Sequence, residues 1–101
     1  MSPMLLALLL AVYVPQPQPI PRPATVAGFL ALCDADAKAC EDRIFDLIWE
    51  RSVGDQKLPF CVPEETAGPK VVAWLKARPA LAAQPADPAL MKALEASFPC
   101  R

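Results

Sequence analysis

The residues with the clearest chemistry are four cysteines, Cys33, Cys40, Cys61 and Cys100, separated by 6, 20 and 38 residues. No C-x-x-C occurs among them, so the spacing suggests neither a zinc ribbon nor a thioredoxin-type redox pair. There is no histidine in the chain, which removes Ser-His-Asp and Cys-His catalysis, histidine metal sites and a histidine pH switch. Asp34, Asp36, Glu41 and Asp42 are clustered in sequence, but they lack the spacing and central glycine of an EF-hand loop. Paired carboxylates alone, without a nucleophile, metal set or phosphate loop, do not make a catalytic centre. The expectation is therefore no catalytic residue, no metal and no cofactor. An even cysteine count behind an export-like start reads as two disulfides; four free thiols in a cytosolic protein are the weaker alternative.

The elements that position the cysteines follow from apolar spacing. Val26, Phe29, Leu30 and Cys33 fall at i, i+3, i+4, i+7, and Thr25 can cap a helix over residues 25–33. After a turn at residues 34–37, a second helix runs from Lys38 to about Val53 and stops at Gly54-Asp55. Its apolar residues are Ile44, Phe45, Leu47, Ile48 and Trp49; Glu41, Asp42, Arg43, Asp46, Glu50 and Arg51 are expected on the other side. A third helix is expected after the cap residue Thr66, with Pro69 at N3, a face of Val71, Val72, Trp74 and Leu75, and a stop at Arg78-Pro79. Asp87 is expected to cap a fourth, with Pro88 at its first position and Leu90, Leu94 and Phe98 in line. The tryptophans and other aromatics are expected in the core. No stretch alternates like a strand, so the fold class is all-α: a small four-helix domain linked by disulfides.

Four cysteines allow three connectivities. Cys33 ends the first helix and Cys40 opens the second, so a short αα-corner brings them together. That leaves Cys61–Cys100, which closes a loop of about 40 residues and contributes on the order of 4 kcal/mol in the chain-entropy model.

The chain carries 10 Lys+Arg against 11 Asp+Glu over 101 residues, so no basic excess points to nucleic acid. Thirteen prolines beside 18 alanines and 3 glycines suit short helices with hard stops. Residues 4–14 are an unbroken apolar run, too short to span a bilayer but of the length of a signal-peptide h-region. Met1-Ser2-Pro3 brings no Lys or Arg before it, and no A-x-A site follows. The alternative for this run is a buried N-terminal helix. Residues 15–23 place proline at every second position and read as an extended spacer. The organisation is then residues 1–14 as a signal-like segment, 15–23 as linker and 24–101 as the folded domain. Membrane contact would be made only through the first segment, if it is left uncleaved. The domain is mildly acidic, and Asp42, Asp46 and Glu50 make a ridge at i, i+4 spacing. This ridge and the Gly54–Leu58 loop with Asp55 and Lys57 are the candidate partner-binding residues, against the simpler reading of a solvated face.

Taken in order, Gly28-Phe29-Leu30, Cys33, Cys40, Phe60-Cys61-Val62-Pro63-Glu64, Val72-Ala73-Trp74-Leu75-Lys76-Ala77-Arg78-Pro79, Ala93-Leu94 and Phe98-Pro99-Cys100 resemble the Rap/Tai family of bacterial type VI secretion amidase-immunity proteins. The resemblance covers nearly all of residues 25–101. It implies a non-enzymatic exported protein that binds a peptidoglycan amidase in the periplasm and occludes its active site, with a homodimer also compatible. The chain departs from the family's C-x-x-Y-x-x-G pattern, since Glu41 to Leu47 holds no glycine. From a different class, a periplasmic helical chaperone or structural module of the acid-stress type would share the same small cross-linked helical build.

Overall fold

The computed structural model describes residues 22–54 and 57–100. The signal-like run, most of the linker and Asp55 lie outside the described residues. Four α-helices follow one another: α1 (Val26–Ala35), α2 (Ala37–Ser52), α3 (Gly68–Lys76) and α4 (Ala86–Ser97), with a 3₁₀ turn at Pro79–Leu81 between the last two. Among the described residues there is no named strand, only one isolated antiparallel bridge between Thr25 and Pro85. The all-α expectation holds.

That bridge settles two helix starts at once. The first amides of a helix have no partner within it. In α1, Val26 N–H donates to the Gln84 carbonyl (3.0 Å), Ala27 N–H to the Ala82 carbonyl (2.9 Å) and Gly28 N–H to Thr25 Oγ1 (3.1 Å). At α4, Ala86 N–H donates back to the Ala24 carbonyl (2.9 Å). Thr25 is thus the cap its sequence position suggested, while Asp87 is not. The backbone of residue 24 serves the start of α4, and Asp87 sits inside the first turn, free to turn its carboxylate elsewhere.

Asp36 alone separates α1 from α2. Its extended backbone (φ −155°, ψ 98°) breaks the helix, its N–H donates to the Leu32 carbonyl, and its Oδ1 accepts from Ala39 N–H at 3.0 Å. The turn is therefore shorter than residues 34–37. It places Cys33 and Cys40 with Cα atoms 4.6 Å apart, in a disulfide. Cys61 and Cys100 form the other, at 4.9 Å, and both pairings match the expectation. α2 ends before Gly54, whose φ of +87° is the left-handed conformation that glycine adopts without a Cβ penalty.

The core is one cluster. Val26 and Phe29 of α1 meet Cys40, Ile44, Leu47 and Ile48 of α2, Val71 and Leu75 of α3, and Leu90 and Leu94 of α4. Ala86, Ala89 and Ala93 line the same buried side of α4, where small side chains let the other helices approach.

The start of α3 differs from the sequence expectation. Its cap position is Ala67, not Thr66, it carries no side-chain cap of its own, and Pro69 stands one position earlier than N3. The cap comes from α2: Glu41 accepts from Ala67 N–H (2.8 Å) and Gly68 N–H (2.6 Å) with its two carboxylate oxygens. A negative charge at a helix N-terminus is favourable both as a hydrogen-bond acceptor and against the helix dipole. A Cβ at residue 68 would collide with this carboxylate, so a glycine makes the close helix approach from the α3 side. Replacing Glu41 by Ala is expected to cost about 1–2 kcal/mol, and by Gln roughly half of that. Urea denaturation of both variants checks this; an E41A midpoint equal to that of the parent would show the cap to be dispensable.

Candidate functional site

The acidic ridge of α2 is built differently from a free anionic face. Asp42 accepts from Lys38 Nζ at 2.7 Å, and this hydrogen bond and charge hold the Lys38 ammonium pKa above its usual value. Asp46 lies 3.1 Å from Arg43 Nη1, and Glu50 lies 3.9 Å from the same nitrogen and also pairs with Arg22. Like charges at i, i+4 repel, and here a cation beside each carboxylate offsets that repulsion.

Arg43 is the reason. Its charge predicts the solvent side of α2, yet its side chain is only 1 % exposed. It occupies the buried stripe of α2 between Cys40 and Leu47, and that helical spacing was the available signal. Its Nη2 donates to Asp87 at 2.8 Å, joining α2 to the first turn of α4. Its Nε is buried with no partner among the described residues. The guanidinium is therefore a structural hub that holds Asp46, Glu50 and Asp87 around one buried charge.

Trp49 departs from expectation in the opposite direction. It is 70 % exposed, and Val53, the C-cap residue four positions on, is 61 % exposed. Trp49 in the last turn of α2 and Val53 at its C-cap, four residues apart, form an apolar spot near the paired carboxylates of Asp46 and Glu50. Lys57 is exposed in the segment beyond Gly54. Trp74 behaves closer to expectation: it is half-buried against the core, with the Arg78 guanidinium 3.9 Å from its ring centroid. Among the described residues, no group of three or more Cys, Asp or Glu side chains is placed to hold a metal ion, and no helix is long and apolar enough to cross a membrane.

These features define a small cross-linked helical domain with an exposed aromatic on a braced helix. The family model of Rap1a immunity proteins matches residues 25–100, and the chain belongs to that family. The match spans the whole described domain from the Thr25 cap to Cys100, in agreement with the Rap/Tai resemblance. No curated protein and no solved structure matches the chain.

Proposed function

We propose that this chain is an immunity protein that binds a peptidoglycan amidase effector and blocks its active site, with no chemistry of its own. Membership of an immunity family supports a role in binding a protein effector. The observation that carries the binding mode is the exposure of Trp49 and Val53 at the end of a helix that Cys33–Cys40 fixes at its start and Arg43 ties to α4. Occlusion works by steric exclusion, and its affinity rests on a few anchors within a standard interface. Tryptophan is enriched among such anchors, because it buries a large area at small entropic cost. Asp42, Asp46, Glu50 and Lys57 then belong to the polar rim, where charges add register more than affinity.

Both disulfides fit an oxidising compartment, which in a bacterium of two membranes is the periplasm, where peptidoglycan lies. Export through residues 1–14 belongs to the same proposal. The test is inhibition of the amidase in a cell-wall hydrolysis assay. Trp49→Asp is expected to weaken inhibition at least about 30-fold, a loss of 2 kcal/mol or more, without lowering the melting temperature. Full amidase activity at saturating parent protein would falsify the immunity reading. Unchanged inhibition by W49D would move the anchor elsewhere.

A further inference from the structure

The segments Phe60–Pro63 and Phe98–Cys100 stand far apart in sequence but line one place in the fold. The Cys61–Cys100 disulfide joins them, and Cys61 N–H donates to the Phe98 carbonyl at 2.8 Å. Between this joint and the start of α3 runs an open groove of about 510 Å³, lined by Val62, Pro63, Glu64, Glu65, Lys70 and Phe98 among others. Val62 is 50 % exposed there. Elsewhere most carboxylates are engaged: Asp34 by Lys76, Asp42 by Lys38, Asp46 and Asp87 by Arg43, and Glu41 by the α3 amides. Glu64 and Glu65 are exposed and make no ion pair among the described residues. The groove also holds one cation, with Lys70 Nζ 5.3 Å from the Phe98 ring centroid.

We propose that this groove docks a basic segment of a protein partner. An arginine or lysine lays its aliphatic stem on Val62 and Phe98 and carries its charge to Glu64 and Glu65. Long cationic side chains suit such a surface because stem and head want different surroundings. Two unpaired carboxylates on the rim attract that head and disfavour an acidic segment. Lys70 opposes the incoming cation, so its charge works against binding. This surface is separate from the Trp49 spot and does not rest on the amidase reading.

The test is NMR titration of the oxidised full-length protein with the acetylated, amidated pentapeptide GRLRG, and with GELEG as its counterpart. Saturable shifts are expected for the amides of Val62, Glu64, Glu65 and Phe98 with GRLRG alone, weakening as salt is raised. The E64Q/E65Q double variant should bind about fivefold more weakly, and K70Q about twofold more tightly, as fits exposed charges. W49D should leave the titration unchanged, which separates this site from the effector anchor. No saturable shift at millimolar GRLRG, an equal response to GELEG, or equal binding by E64Q/E65Q would overturn the proposal.

Discussion

Replacing Cys61 and Cys100 together by Ala is expected to lower the stability of the domain by about 2–5 kcal/mol. The bond joins residues 39 apart in sequence and ties the segment before α3 to the chain beyond α4. Without it, the denatured chain regains the freedom of that long loop, and the Cys61–Phe98 backbone hydrogen bond loses its brace. Replacing Cys33 and Cys40 by Ala opens a span of only 7 residues, so its chain-entropy effect is about 1.5 kcal/mol smaller. A domain of this size shifts its melting temperature by roughly 4–8 °C per kcal/mol. The C61A/C100A protein should therefore melt at least about 8 °C below the parent, and also below C33A/C40A. Calorimetry of the three proteins decides it. Equal melting of the two variants would mean that loop length is not what sets their contributions.

The second large effect is expected at Arg43. Arg43→Ala should cost about 3 kcal/mol, from the space left in the core and the loss of the link between α2 and α4. Arg43→Met should recover much of that. Methionine fills a similar volume and removes the unpartnered Nε, while Asp46, Asp87 and Glu50 are 34–39 % exposed and can be hydrated when left alone. Replacing Asp46 and Asp87 by Asn should be worse than R43M, because it strands a buried cation. Urea denaturation of R43A, R43M and D46N/D87N reads all three. An R43M protein as unstable as R43A would show that the charge pairs, not the packing, hold this contact.

What the sequence disclosed and what it hid divide along one line. Thr25 capping Gly28, and Cys33 meeting Cys40 across a corner, are contacts between near neighbours, and their residue types announce them. The apolar periodicity of α4 likewise placed Leu90 and Leu94 correctly. Arg43 was hidden because its counterion Asp87 lies 44 residues away, and no local pattern says that a charge on a buried stripe will find one. Glu41 was hidden for the same reason, its amide partners being 26 and 27 residues off. Once α3 borrows that carboxylate, Thr66 is not needed as a cap. Trp49 misled in another way. Its apolar character argued for burial, but it lies one residue past Ile48, about 100° around the helix from the buried stripe. Side-chain type gives the preference for the interior; angular position decides whether the interior can be reached.

The reciprocal capping of α1 and α4 has a consequence for the order in which the molecule is made. The amides that open the first helix are received by carbonyls of residues 82 and 84, and the residue that opens the last helix donates to residue 24. On the ribosome the first helix therefore emerges long before its acceptors exist. The Cys61 thiol likewise has its partner 39 residues further on. A stretch ending before residue 82 keeps the Thr25 cap and the Cys33–Cys40 link but lacks the acceptors for the first two amides of α1. The full set of contacts that opens α1 therefore needs residues 82 and 84, which couples the first helix to the loop before the last one.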